Sequence, residues 1–177
     1  MKDQIKFGTD GWRAIIGDTY TIENVSRVSK AVALWLKKQE IAKPSVIIGH
    51  DCRFNGDLFM RAAVRVLLSE GIDVYMSEGF VSTPMVSLGA EVHKASLGIV
   101  ITASHNPPSY NGYKLKAHYG GPLSPEKVQE VQDLIPESVS ANFKDIHLES
   151  AKASGALKVV DLEKEYVDHL KANFDIE

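Results

Sequence analysis

The sequence predicts a three-layer α/β/α domain with a mostly parallel, mixed sheet. Three short apolar runs, at residues 45–49, 72–76 and 97–101, are bounded by turn residues and are typical of buried strands. Between these runs, apolar residues recur at the three- and four-residue spacing of amphipathic helices. Strands that alternate with helices favour parallel pairing, with helices on both faces of the sheet. The 177 residues, of which 44% are hydrophobic, suffice for one such domain with some length left over.

The composition excludes several classes of protein. The net charge of −3 provides no basic surface for nucleic acid or for an anionic membrane. No apolar run approaches the ~20 residues of a membrane helix, and residues 1–4 lack the apolar core of a signal peptide. The single cysteine, Cys52, excludes an internal disulfide and fits a reducing cytoplasm, which we predict as the location.

The amino-terminal part is predicted to contain a short strand, a loop and a long helix. Residues 5–7 are predicted as a short strand or edge segment that leads into residues 8–13. Two glycines let this loop approach other backbone closely, and Arg13 offers a planar fork of donors. A surface β-turn with an exposed arginine fits the local sequence as well. Thr21 is placed to cap a helix with an apolar stripe of Val25, Val28, Val32 and Trp35.

Helix signals recur along the rest of the chain. Three further helices are predicted: residues 55–70, a segment capped by Thr83 that runs to about Lys94, and a segment opened by Ser124. Gly71 follows the first of these in the usual glycine position, and Pro84 suits the first position of the second.

Residues 102–114, TASHNPPSYNGYK, carry the densest chemistry in the chain. They follow the apolar run at 97–101, so Ser104 is predicted at the carboxyl edge of the sheet, where open α/β sheets place their ligands. The two prolines forbid helix and strand pairing, and Asn111-Gly112 is predicted to reverse the chain as a hairpin turn. The loop gathers three groups that suit a phosphate: the Ser104 hydroxyl, the His105 imidazole and the Lys114 ammonium.

The same loop is compatible with simpler roles. A loop serine is commonly a turn or capping residue. A serine hydrolase is disfavoured because no G-x-S-x-G elbow is present, and His105 should project away from its neighbour Ser104. We therefore expect labelling by a fluorophosphonate probe to fail.

Residues 102–107 together with residues 111–114 resemble the active-site serine loop of the α-D-phosphohexomutases, the family of phosphoglucomutase, phosphomannomutase and phosphoglucosamine mutase. Residues 7–13, FGTDGWR, resemble the amino-terminal loop of that family, which carries an active-site arginine. Asp51 and Arg53 resemble its Asp-Thr-Arg or Asp-Ser-Arg loop, from which Cys52 departs. From local reasoning alone, Asp51 is a capping residue and Cys52 a small buried apolar filler.

The resemblance implies the interconversion of hexose 1-phosphate and hexose 6-phosphate through a phosphoserine and a sugar bisphosphate. It implies the following roles: Ser104 as phosphoryl carrier and Mg²⁺ ligand, Lys114 as proton donor or acceptor, Arg13 in charge stabilisation, and His105 and Asn106 in holding phosphate and loop geometry. Arg53 and Asp51 are expected to shape the site and, with Asn106, to bind phosphate or substrate. The substrate hexose is glucose, mannose or glucosamine phosphate.

The resemblance also implies a longer parent enzyme, in which this chain is the first of four domains. Residues 1–136 are predicted as that domain, residues 137–156 as a surface connection, and residues 157–177 as the start of a second domain or a linker helix. The remaining Mg²⁺ ligands are expected from the second domain, and a sugar bisphosphate is expected to activate the parent enzyme.

Further expectations concern the domain by itself. Its partners should be a hexose phosphate and the other domains, with no nucleic acid and no membrane. The isolated domain should be inactive and should expose apolar surface around Leu162, Tyr166 and Leu170, through which it can self-associate. The alternative function is a stand-alone sugar-phosphate binding or regulatory module.

Overall fold

A computed structural model describes residues 5–8 and 11–175 and shows a six-stranded mixed sheet with helices on both faces. The predicted three-layer α/β/α class is thereby confirmed. The elements in chain order are β1 (Trp12–Ile15), α1 (Ile22–Lys38), β2 (Ser45–His50), α2 (Gly56–Ser69), β3 (Asp73–Phe80), α3 (Thr83–Val92), β4 (Leu97–Ile101), β5 (Tyr110–Ala117), α4 (Pro125–Asp133), α5 (Leu148–Ala153), β6 (Leu157–Val160) and α6 (Leu162–Asn173).

The order of strands in the sheet is β1-β5-β4-β2-β3-β6. Strands β4, β2, β3 and β6 are parallel, whereas β5 and β1 run antiparallel to their neighbours. Because parallel strands end at the same edge of a sheet, the loops that follow β2, β3 and β4 meet at one edge. That edge carries the predicted serine loop.

Two apolar clusters hold the layers together. The larger one packs α1, α2 and α4 against one face of the sheet, and its largest buried side chains include Tyr20, Leu36 and Tyr113. The smaller one packs α3 and α6 against the other face, around Ile47 and Val86. Among the described helices, none combines the length and the apolar character that crossing a bilayer requires.

The helix ends follow the local signals closely. Thr21 caps α1, because its hydroxyl accepts a hydrogen bond from Asn24 N at 3.2 Å. Gly71 follows α2 with φ +75°, a conformation that glycine adopts without strain. Helix α3 differs by one residue from the prediction, since Ser82 is its N-cap and Thr83 is already helical. A proline fits either of the first two helical positions, so Pro84 does not indicate whether Ser82 or Thr83 is the N-cap.

Two predictions at the sheet edge were wrong. Residues 5–7 form no strand, and β1 instead begins at Trp12 and pairs with β5. Asn111-Gly112 is no turn, because both residues lie inside β5 and are buried. A Cβ at Gly112 would lie 2.5 Å from Thr102 O and 2.8 Å from Trp12 O. The glycine therefore permits a close approach of neighbouring backbone. The Asn-Gly pair by itself does not indicate whether the glycine serves such an approach or a turn.

The carboxyl-terminal segment joins the same sheet. Strand β6, which we predicted as the start of a second domain or a linker, pairs in parallel with β3. Leu162, at the start of α6, is 2% exposed within the smaller cluster, so the prediction that it lies on an exposed surface is wrong. Phe143 and Leu148 bury side chains from the predicted surface connection. Where a second domain begins stays a prediction.

Candidate active site

The serine loop spans residues 102–109, between β4 and β5. Asn106 N donates to Ala103 O at 3.0 Å, and Tyr110 N donates to Pro107 O at 3.0 Å, so the loop consists of two successive turns. Ser104 adopts φ +56°, which is uncommon for a residue with a side chain. Backbone strain of this kind costs on the order of 1–3 kcal/mol and persists where surrounding contacts enforce it.

Ser104 and His105 both present exposed side chains. Neither side chain makes a hydrogen bond to the part of the chain that the structure describes. The Ser104 backbone is held, because its N donates to Thr102 Oγ1 at 3.0 Å. The loop thus fixes the main chain of the serine and leaves its hydroxyl accessible.

Arg13 reaches the serine loop from β1. It is paired in register with Gly112 of β5, and its Cγ lies 3.0 Å from the position that a Gly112 Cβ would take. Its Nη1 donates to Asn106 Oδ1 at 2.8 Å. Arg13 is half-buried in a strand, which disagrees with the exposed arginine of a surface turn. Because Gly112 has no side chain, the Arg13 side chain can cross β5 at this residue.

Lys114 lies in β5, opposite Val100 of β4. It is two residues beyond Gly112, so its side chain leaves the sheet on the face over which Arg13 passes. Gly11, with φ +109°, packs against this point, because a Cβ there would lie 2.7 Å from Tyr113 O. The predicted close approach of the amino-terminal loop is therefore observed at Gly11, whereas Thr9 and Asp10 of the same loop lie outside the described residues.

Asp51 connects β2 to the serine loop. Its backbone N donates to Ile101 O at 3.2 Å, which places it beside the end of β4. Its carboxylate accepts from Thr102 Oγ1 at 2.6 Å and from Arg53 N at 3.0 Å. The Arg53 Nε lies 3.4 Å from the same carboxylate. Asp51 therefore links the loop that follows β2 to the serine loop.

Arg53 extends its guanidinium to the main chain of the serine loop. Nη1 donates to Pro107 O at 2.9 Å and to Tyr110 O at 3.0 Å. Nη2 donates to Ser104 O at 2.8 Å and to Asn106 O at 2.7 Å. These contacts tie the loop after β2 to the serine loop, while a role of Arg53 and Asp51 in shaping the site or in binding phosphate or substrate stays a prediction. Cys52, between them, is exposed, so the expected buried filler is wrong.

Two buried tyrosines, Tyr20 and Tyr113, lie at β5 beside the site, and neither was identified from the sequence. The Tyr20 hydroxyl donates to Gly112 O at 2.8 Å, and the hydroxyls of Tyr113 and Ser29 lie 3.1 Å apart. Burial raises the pKa of the Tyr20 hydroxyl, and the nearby Tyr113 and Asp51 raise it further. Burial also raises the pKa of Tyr113. Both hydroxyls therefore stay protonated at neutral pH.

Among the described residues, the side chains that commonly bind metals are not clustered. These residues contain no group of three or more His, Cys, Asp or Glu side chains arranged to hold a metal ion. Mg²⁺ prefers several oxygen ligands in octahedral geometry, and the Ser104 hydroxyl is one oxygen that the exposed loop tip offers.

Comparison with known proteins agrees with the sequence motifs. Residues 4–141 match the family model described as phosphoglucomutase/phosphomannomutase, alpha/beta/alpha domain I. The chain is 34% identical over 171 residues to a phosphoglucomutase/phosphomannomutase of Thermococcus kodakarensis, covering 97% of this chain and 36% of that protein. It is 32% identical over 169 residues to a phosphoglucosamine mutase of Caldicellulosiruptor bescii, covering 96% of this chain and 36% of that protein.

A solved structure shows the same fold. The crystal structure of a "putative phosphomannomutase" from Thermus thermophilus superposes with a TM-score of 0.86 at 35% identity and covers 99% of this chain. This chain covers 37% of that protein. The chain therefore spans little more than a third of the length of the relatives that it matches.

Proposed function

The chain belongs to the phosphoglucomutase/phosphomannomutase family, and from this premise we propose that it forms the first domain of an enzyme that interconverts hexose 1-phosphate and hexose 6-phosphate through a phosphoserine at Ser104. The observation that carries the proposal is the placement of Ser104. Its exposed hydroxyl lies just beyond the carboxyl end of β4, on a loop whose main chain is fixed.

The proposed reaction consists of two phosphoryl transfers. In the first, a hydroxyl oxygen of the sugar phosphate attacks the phosphorus on Ser104, and the bond from phosphorus to Ser104 Oγ breaks. The sugar hydroxyl loses its proton, Oγ gains one, and a sugar bisphosphate results. In the second, Oγ loses its proton and attacks the phosphorus of the other phosphate, and the bond from that phosphorus to the sugar oxygen breaks. The sugar oxygen gains a proton, which leaves the isomeric monophosphate and restores phospho-Ser104.

Lys114 is the proposed proton donor or acceptor for the sugar hydroxyl. It lies on β5, close in the sheet to Gly112, over which Arg13 passes toward the serine loop. A positioned lysine can serve as a general acid or base, which is the role proposed for Lys114.

Arg13, Asn106 and His105 are proposed to meet the charge of the phosphoryl group. Arginine does not deprotonate in proteins, so Arg13 supplies fixed positive charge, and its hydrogen bond to Asn106 orients both side chains. His105 is exposed at the loop tip and can approach phosphate oxygens. Phosphoryl transfer depends mainly on such positioning and charge.

Mg²⁺ is proposed as the cofactor of the parent enzyme, where it would supply positive charge at the phosphoryl oxygens. No cluster of three or more His, Cys, Asp or Glu side chains among the described residues is arranged to hold a metal ion. We therefore propose that Ser104 contributes one ligand, that other domains contribute the rest, and that the domain alone has no mutase turnover.

The test is to map phosphate in the full-length parent enzyme. The enzyme is incubated with a radiolabelled hexose bisphosphate, digested, and its phosphopeptides are sequenced. We expect the label on Ser104, loss of label in Ser104→Ala, and retention in Ser109→Ala, a matched change in the same exposed loop. Label on Ser109 or Ser124, or full turnover by Ser104→Ala, would refute the proposal.

A further inference from the structure

We propose that Arg53, which the sequence predicted as a phosphate or substrate ligand, is instead a positioning residue that holds Ser104 in its reactive geometry. The inference deepens the proposed function and rests on it where catalysis is concerned. Its structural part rests on the contacts of Arg53 alone.

The Arg53 guanidinium directs its terminal donors at main-chain carbonyls in and beside the serine loop. Nη1 and Nη2 carry two N–H groups each, and each group has a carbonyl acceptor at 2.7–3.0 Å. Nε faces the Asp51 carboxylate at 3.4 Å. A phosphate bound in the usual bidentate manner requires two free N–H groups. Arg53 cannot offer two such groups unless it releases the serine loop.

These bonds fix the main chain at Ser104. The carbonyl of Ser104 is held by Arg53 Nη2, and the N of Ser104 is held by Thr102 Oγ1, which itself donates to Asp51. Ser104 is thus held on both sides by one connected set of three side chains. These contacts explain how a residue with a side chain keeps φ +56° on an exposed loop.

Two of the four bonds from Arg53, those to the carbonyls of Ser104 and Pro107, are solvent-exposed, so water can replace them when the side chain is removed. The bonds to the carbonyls of Tyr110 and Asn106 are partly buried. Arg53 belongs to neither apolar cluster. Its loss should therefore disturb the loop much more than the fold.

Displacement of Ser104 in the Arg53 variants should slow catalysis. A misplacement of about 1 Å at a reacting group costs on the order of 100-fold in rate. Lysine has three N–H groups on one atom and cannot serve four separate carbonyls, so Arg53→Lys should resemble Arg53→Ala. We expect kcat to fall about 30- to 100-fold with KM changed less than about 3-fold, because ground-state binding does not involve Arg53.

The experiment compares Arg53→Lys and Arg53→Ala with Arg61→Lys. Arg61 is a matched control, since it lies on the neighbouring helix α2 and pairs with Asp57, away from the serine loop. In the 177-residue chain, ¹⁵N NMR should show displaced amide signals of Ser104 and Asn106 in both Arg53 variants. Melting temperatures should stay within about 4 °C of the unmodified chain, the effect of about 1 kcal/mol in a domain of this size.

The parent enzyme supplies the second measurement. Steady-state kinetics of the same variants give kcat and KM, and added methylguanidine should restore part of the rate of Arg53→Ala. A raised KM with unchanged kcat would overturn the proposal and make Arg53 a substrate ligand. Unchanged loop amide signals in Arg53→Lys would also overturn it. If Ser104 carries no phosphate, the proposed function fails, whereas the NMR comparison still tests the positioning.

Discussion

Replacement of Gly112 by alanine is the most direct test of how the sheet builds the site. A Cβ at this position would lie 2.5 Å from Thr102 O, 2.8 Å from Trp12 O and 3.0 Å from Arg13 Cγ. The first two atoms are backbone atoms on either side of β5, so neither can rotate away. The sheet must therefore open where Arg13 crosses it.

The expected loss of stability can be worked out from these distances. Overpacking in a dense interior costs about 1–3 kcal/mol, and contacts with rigid backbone on two sides place Gly112→Ala near the upper value. Reduced freedom of the unfolded chain returns about 0.4–1 kcal/mol for a glycine-to-alanine change. The net loss is about 2 kcal/mol, which lowers the melting temperature by about 4–8 °C in a domain of this length.

The assay is thermal and urea unfolding of Gly112→Ala beside Gly79→Ala. Gly79 is also a strand glycine, but a Cβ there would meet no atom within 4 Å. We expect Gly79→Ala to change stability by less than about 0.5 kcal/mol, as surface changes usually do. Equal stabilities of the two variants would show that β1 and the serine loop do not approach β5 as closely as described.

Two further predictions concern chemistry and pH. In the parent enzyme, Lys114→Ala should lower kcat by at least ~100-fold with the circular dichroism spectrum unchanged, the usual effect of losing a general acid or base; unaltered turnover would make Lys114 a solvated strand residue. Burial raises the pKa of Tyr20 and Tyr113 above the unfolded value. Their contribution to stability is therefore complete below about pH 10 and is lost as pH rises toward the folded pKa, by up to about 1.4 kcal/mol per pH unit for each tyrosine. Urea unfolding measured from about pH 8 to about pH 11, a range that spans the ordinary tyrosine pKa, should show this decline in stability. Tyr20→Phe should make the decline with pH less steep. An equally steep decline in Tyr20→Phe would contradict a raised pKa of Tyr20.

The sequence by itself determined the elements whose signals are local. Apolar runs indicated β2 and β4, and the cap Thr21 and the terminal Gly71 indicated the ends of α1 and α2. The motif around Ser104 predicted the family, because its serine, histidine, asparagine and lysine occur at fixed short spacing. These features depend on residues that lie close together in the chain.

Only the tertiary structure decided features that depend on distant partners. Trp12–Ile15 is a strand because β5 pairs with it, and Arg13 meets Asn106 across 93 residues of chain. The Asn111-Gly112 dipeptide lies in a strand because neighbouring backbone needs the space of a missing Cβ. Arg53 contacts four carbonyls that lie 51–57 residues further along the chain. Local propensity has no access to such contacts, since their free energy arises only when the sheet has brought the segments together.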